Sequence, residues 1–180
     1  MRTFTILSTL LLTLAATPSS AITAEELALK NAEAKGGLAR LRALTTVVRT
    51  GKLIVSNGQL TLEMRDVTKR TAEGGATRND AQLQGLSASS AWDGKVGWRV
   101  DPFWGRKDAE RMTPDDAKSL IEGADIEGPL VDHGKKGHTL RYLGTEDVDG
   151  TTTHKLVVVR KNGDTTTFFL DPATFLEIRI

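Results

Sequence analysis

Four dipeptides of the form Asn-Gly or Asp-Gly are the feature that most constrains the fold of this chain. They are Asn57-Gly58, Asp93-Gly94, Asp149-Gly150 and Asn162-Gly163. Such pairs favour tight hairpin turns, because both central residues can adopt a positive φ. They connect segments in which apolar and polar side chains alternate, and hairpins join antiparallel neighbours. The sequence therefore predicts about eight or nine strands in an antiparallel sheet, rather than the parallel sheet of a nucleotide-binding fold.

Helical signals are confined to two parts of the chain. Thr23 to Glu26 has the pattern of a capping box at the start of a helix. Gly36-Gly37 is expected to break that helix, with a short helical turn following over Leu38 to Ala43. Another helix is predicted to begin at Thr113-Pro114 and to end near Gly123. Together with the strands, this predicts one α+β domain, a long curved antiparallel sheet with helices against it.

The N-terminus has the pattern of a secretory signal peptide. A positive start at Met1-Arg2 precedes an apolar run from Phe4 to Leu14, and Ser19 and Ala21 fit the small-x-small cleavage rule. The run is too short to span a bilayer as a helix, which takes about 20 residues. We expect a signal peptide over residues 1–21, cleavage after Ala21, a mature domain over residues 22–180 and a periplasmic location. The alternative is an N-terminal anchor or a buried helix.

Composition excludes several classes of site. Lys and Arg total 24 and Asp and Glu total 23, so the net charge of +1 does not suit a nucleic-acid-binding protein. The chain has no cysteine, which excludes disulfides, thiolate metal sites and a cysteine nucleophile. Nucleotide-binding motifs and a nucleophile elbow are absent from the sequence. No cofactor is predicted.

Neither a metal site nor an enzyme is predicted. His133 and His138 share a short loop with Asp132, but Lys135 and Lys136 in the same loop oppose a bound cation. A solvated loop is therefore expected there. The acids that precede it are also expected to be solvated, and they are Glu122, Asp125 and Glu127.

Four large aromatic residues fall within 13 positions. They are Trp92, Trp98, Phe103 and Trp104. Trp92 and Trp98 flank the Asp93-Gly94 turn, so their side chains can share a face of the sheet. Two interpretations stay open, ordinary core packing and the wall of an apolar pocket, with Phe103 and Trp104 as its gate or as a contact for a partner.

Several short motifs, in order over most of residues 22–180, resemble LolA-like outer-membrane lipoprotein-sorting proteins. They are Lys30 to Leu38, Thr50 to Leu53, Leu83 to Leu86, Ala91 to Trp98, Asp101 to Gly105, Gly128 to Asp132 and Phe175 to Ile178. The resemblance is to the broad branch of that family rather than to the periplasmic carrier itself. It implies an unclosed antiparallel β-barrel with helices acting as a lid over an apolar cavity on the concave face.

The resemblance also implies a function without bond chemistry. A monomeric periplasmic carrier would hold acyl chains of lipoproteins or lipids and move them toward the outer membrane, between inner- and outer-membrane transport partners. The residues expected to line its cavity are Leu53, Leu62, Met64, Leu86, Trp92 and Trp98. The alternative is an envelope sensor or protein-interaction module on the same scaffold.

Two positions depart from the family pattern. The chain stops at Ile180, inside the predicted strand Phe175 to Ile180, so either the barrel is shorter or the reading frame is truncated. Arg49 lies in a largely apolar segment and is a candidate contact to a lid carbonyl, although an ordinary outward-facing arginine is the alternative.

Overall fold

The computed structural model describes residues 22–55, 58–72 and 74–180. The predicted signal peptide and Asn57 of the first predicted turn lie outside the described residues. Within them, the chain forms ten strands in two antiparallel sheets, three α-helices and a short 3-10 helix. The helices are α1 (Ala24–Ala34), α2 (Leu38–Ala43), α3 (Lys118–Gly123) and the 3-10 helix Pro102–Trp104.

The first sheet is a six-stranded meander, in which each strand pairs with the next along the chain. Its strands are β1 (Thr46–Val55), β2 (Leu60–Lys69), β3 (Ala76–Leu83), β4 (Leu86–Trp92), β5 (Gly97–Asp101) and β6 (Arg106–Arg111). The predicted turn at Asp93-Gly94 joins β4 to β5, where the Asp93 carboxylate accepts hydrogen bonds from the Lys95 and Val96 amides. These amides lower the pKa of Asp93.

Two details of this sheet were not predicted from the sequence. β3 and β4 are joined by a hairpin turn in which Gln84 and Gly85 have φ of 49° and 83°. Positive φ at both central residues is the requirement of a type I′ turn. The sheet also continues after Gly105 with β6, which pairs with β5 across a bulge. Pro102 to Gly105 therefore form a local turn within the sheet.

The second sheet carries the main core. It has the order β10-β9-β8-β7, from β7 (Thr139–Val148), β8 (Thr151–Val159), β9 (Thr165–Leu170) and β10 (Glu177–Arg179). The apolar side of α1 packs on this sheet, where Leu27, Leu156 and Leu170 are fully buried. The turns at Asp149-Gly150 and Asn162-Gly163 are confirmed.

The ends of α1 form as predicted. The Thr23 hydroxyl accepts from the Glu26 amide and the Glu26 carboxylate accepts from the Thr23 amide, which completes the capping box. Gly36 and Gly37, both with positive φ, separate α1 from α2. Buried Asn31 of α1 donates a hydrogen bond to the Phe175 carbonyl at 2.8 Å, which ties this helix to the segment before β10.

Helix α3 is shorter than predicted and lies against the first sheet. The Thr113 hydroxyl accepts from the Asp116 amide as a cap would, but regular α-helix begins only at Lys118. Close approach depends on Gly97 of β5, where an added Cβ would lie 2.8 Å from the Ala117 Cβ. From β2, the Thr68 hydroxyl donates to the Gly123 carbonyl at 3.3 Å. These contacts fix which face of the first sheet α3 covers.

Candidate functional site

The face of the first sheet that α3 covers is here called the inner face, and the register shows which side chains share it. Leu53 lies opposite Leu62, and Met64 lies opposite Ala81. Because side chains alternate along a strand, every second residue from these positions is on the same face. The apolar members away from α3, here called the apolar stripe, are Leu53, Val55, Leu60, Leu62, Met64, Ala81, Leu83, Leu86 and Ala88.

The apolar stripe is open to solvent along its length. Leu53 is 47% exposed and Leu86 is 50% exposed, while its other members are half-buried. Helix α3 contacts the other end of the inner face, near Thr68 and Gly97. The stripe is therefore an accessible apolar surface, and it includes four of the six residues that the sequence predicted for a lipid cavity.

The two tryptophans of the prediction do not share a face, so that expectation is wrong. Trp92 pairs with Gly97 and Ala91 pairs with Trp98. Adjacent positions on a strand point to opposite faces, so Trp92 is on the inner face and Trp98, which is 43% exposed, is on the other. The six predicted residues therefore cannot line one continuous cavity together.

The α3 end of the inner face opens into a cavity of about 840 Å³. Trp92, Ile121 of α3 and the turn at Gly74 and Gly75 contribute to its wall. The turn between β8 and β9 closes it from the second sheet through Arg160, Lys161 and Asn162. Of the predicted residues, only Trp92 lines this cavity, which is separate from the apolar stripe.

Charged residues around this cavity are paired with one another. The Glu127 carboxylate accepts from Arg70 at 3.1 Å, and the Lys136 amino group donates to Asp125 at 2.6 Å. An ion pair of 3.5 Å joins Arg160 and Glu122. The prediction of a solvated loop is therefore wrong for these acids, and the Glu127 side chain is only 11% exposed.

The loop histidine next to these pairs has a defined environment. The Nδ1 atom of His138 accepts a hydrogen bond from the Lys161 amide at 3.2 Å. Burial, together with nearby Arg160 and Lys136, lowers the pKa of His138 below its ordinary value. The neutral ring, with Nδ1 as an acceptor, is the form that this contact requires.

The aromatic pair after β5 lies in the 3-10 helix Pro102–Trp104. Phe103 is half-buried, whereas Trp104 is 81% exposed. Large exposed aromatic side chains are enriched at sites of association. The role of this pair as a gate or a partner contact stays a prediction.

Arg49 lies on the inner face, opposite Asp66, and the two side chains are 3.9 Å apart. The arginine side chain is 61% exposed, and among the described residues its ion-pair partner is this aspartate. A lid contact by Arg49 stays a prediction.

Comparison with solved structures identifies the fold. No protein-family model and no curated protein sequence matches the chain. An outer membrane lipoprotein-sorting protein domain from Vibrio parahaemolyticus superposes with a TM-score of 0.52 at 18% identity, over 86% of this chain and 70% of that one. The chain has a LolA-like fold. A DUF1329 family protein from Desulfovibrio piger is also similar, with a TM-score of 0.48 at 14% identity over 86% of this chain and 70% of its own.

The predicted α+β architecture of unclosed antiparallel strands is thereby confirmed, although among the described residues the strands form two sheets rather than one. Among the described residues, no group of three or more histidines or carboxylates is placed to hold a metal ion. Within the same ranges, no helix is long and apolar enough to cross a membrane. The sequence did not reveal the charged residues that form ion pairs around the 840 Å³ cavity, because partners such as Arg70 and Glu127 lie far apart in the chain.

Proposed function

We propose that this protein is a periplasmic carrier that binds acyl chains of lipoproteins or lipids and moves them toward the outer membrane. The apolar stripe is the observation that carries the proposal. A half-exposed apolar stripe of nine residues costs stability in water, and covering it with an acyl chain removes apolar surface from both partners. Each buried methylene contributes about 0.8 kcal/mol, so even partial cover gives substantial affinity.

The openness of the stripe suits transfer rather than storage. A chain bound to a half-exposed surface can leave without global unfolding, as a carrier between a donor in the inner membrane and a receptor in the outer membrane requires. No covalent step is needed, so binding and release are the whole activity. The lipoprotein-sorting name of the Vibrio domain is consistent with this role, and the signal-like N-terminal sequence supports a periplasmic location.

Native mass spectrometry of the protein secreted into a bacterial periplasm tests the proposal. Leu53 and Ile54 form a matched pair, because they are neighbours on β1 but lie on opposite faces, and both are well exposed. Leu53→Asp should abolish adducts of lipid mass, whereas Ile54→Asp should retain them. Thermal melting curves establish that both variants are folded.

Two results would contradict the carrier function. One is a wild-type protein that is folded and has only its own mass after secretion. The other is an equal loss of adducts from both variants, which would mean that the inner face has no special role.

The exposure of Trp104 supports a second candidate, an envelope sensor or protein-interaction module. In that case, Phe103→Ala combined with Trp104→Ala would prevent cross-linking to a periplasmic partner and leave the lipid content unchanged. Trp98→Ala is the matched control, since it removes an exposed aromatic side chain from a different site. Loss of lipid in the double variant, with cross-linking intact, would argue against this candidate.

A further inference from the structure

The face of the first sheet away from α3, here called the outer face, carries an excess of positive charge. At strand positions with a fixed register, it presents five cations and two acids, whereas the inner face presents three of each. The outer set is Lys52, Arg65, Lys69, Arg78 and Arg111, with Glu63 and Asp80. The outer face therefore has three more cations than acids, whereas cations and acids balance on the inner face. The net charge of the whole chain is only +1.

Only part of this outer-face charge is neutralised. Lys52 pairs with Glu63 at 3.2 Å, and Arg78 pairs with Asp80 at 2.9 Å. The other cations, which are Arg65, Lys69 and Arg111, make no ion pair with any described residue. All three are exposed, so their charge is available to an external partner.

Apolar groups lie between the cations. Val48 is 52% exposed, Ile54 is 64% exposed and Trp98 is 43% exposed, all on the outer face. Near Val48, the outer face also has a cavity of about 560 Å³ with Arg65 and Lys69 in its wall. An apolar surface with cations at its margin matches an anionic lipid leaflet, because Trp favours the membrane interface and basic side chains attract acidic headgroups.

We infer that the outer face of the first sheet docks onto a membrane surface that contains anionic phospholipids. Charge complementarity selects this occupant over a neutral apolar partner, since three unpaired cations would be costly to bury against apolar groups. The inference is independent of acyl-chain binding, which uses the opposite face of the same sheet. Docking by the outer face would leave the apolar stripe and α3 directed away from the bilayer plane.

Vesicle co-sedimentation tests the inference. The purified protein is mixed with vesicles of phosphatidylcholine alone or with about a third phosphatidylglycerol, at low and at high salt. Binding is expected only to the vesicles that contain phosphatidylglycerol, and it should weaken at high salt. Combining Arg65→Gln with Lys69→Gln should reduce the partition coefficient by about 25-fold, which corresponds to about fivefold per cation near an anionic surface.

A matched control distinguishes the effect of charge on the outer face from the effect of the net charge of the protein. Arg49→Gln combined with Arg106→Gln removes the same two charges from the inner face of the same sheet. This control should keep binding close to that of the wild type, and all variants should melt within a few degrees of one another. Equal losses in the two double variants, binding to neutral vesicles as tight as to charged ones, or no binding at low salt would each overturn the inference.

Discussion

Gly97 on β5 allows α3 to approach the first sheet, so adding one methyl group there should disturb both stability and the cavity. The Cβ of an alanine at position 97 would lie 2.8 Å from the Ala117 Cβ and 3.1 Å from the Met112 Cβ. Folded proteins do not tolerate carbon contacts of 2.8 Å, so either α3 or β5 must move. Overpacking of this kind costs about 1–3 kcal/mol.

Gly51 provides the matched control for Gly97→Ala. It lies on the inner face of β1, and a Cβ built there meets no atom within 4 Å. Gly51→Ala should therefore raise the free energy of unfolding by about 0.5–1 kcal/mol, since glycine is less favourable than alanine within a strand. The same substitution type is thus expected to have opposite signs at two positions of one sheet.

Urea denaturation followed by circular dichroism measures both effects. With a typical slope of about 2 kcal/mol/M, Gly97→Ala should lower the midpoint by about 0.5–1.5 M. Combining Gly97→Ala with Ala117→Gly should recover part of the loss, because the second substitution removes the contacting Cβ. A Gly97→Ala protein at least as stable as the wild type would refute the argument that α3 is seated against this glycine.

Three further predictions concern the second sheet and the loop beside the cavity. Leu27→Ala should cost about 2–5 kcal/mol in urea denaturation, because Leu27 is fully buried in the core of α1 and the second sheet. Asn31→Ala leaves the Phe175 carbonyl without its donor and should cost about 1–3 kcal/mol, with faster amide exchange after Asp171 in mass-spectrometric measurements. His138 has a lowered pKa in the folded state, so the unfolded state takes up the proton first and stability falls as the pH drops below about 6.5. His138→Asn can keep an acceptor for the Lys161 amide and should flatten this part of the pH–stability curve; an unchanged curve would contradict the assignment.

The hairpins could be predicted because their causes are local. At Asp93-Gly94 and Asn162-Gly163 the residue types themselves supply the backbone conformation and the side-chain acceptor that a turn needs. The turn at Gln84-Gly85 was missed because glutamine is not typical of a left-handed position, so Gly85 was the only signal. Register with β3 and β4 holds Gln84 at a φ of 49° in spite of its side chain.

Strand β6 had no detectable pattern for a different reason. All of its residues, Arg106 to Arg111, are exposed, so neither face selects apolar side chains. It lies at the edge of the first sheet and forms through backbone pairing with β5. Charged edge strands are also protected from pairing with other chains, which accounts for a sequence without alternation.

The residues of the candidate site could be predicted only where apolar and polar side chains alternate along a strand. Leu53, Leu62, Met64 and Leu86 share a face because each alternates with polar neighbours and the register aligns them. Trp98 differs because four residues connect β4 to β5, which places Gly97 opposite Trp92. No local feature of the sequence indicates the register between β4 and β5.

The residues that form the core and those that would bind a ligand lie on different sheets. The largest core joins α1 to the second sheet, whereas the first sheet has a short helix at one end and an open apolar stripe at the other. A ligand that binds only the folded state stabilises it by about 2.7 kcal/mol at a hundredfold excess over its Kd, and the open stripe leaves apolar surface on the first sheet for such a ligand to cover. In the proposed function, α1 and the second sheet would maintain the fold while the first sheet binds and releases an acyl chain. Acyl chains that bind the stripe should therefore raise the stability of the first sheet and α3 more than that of α1 and the second sheet.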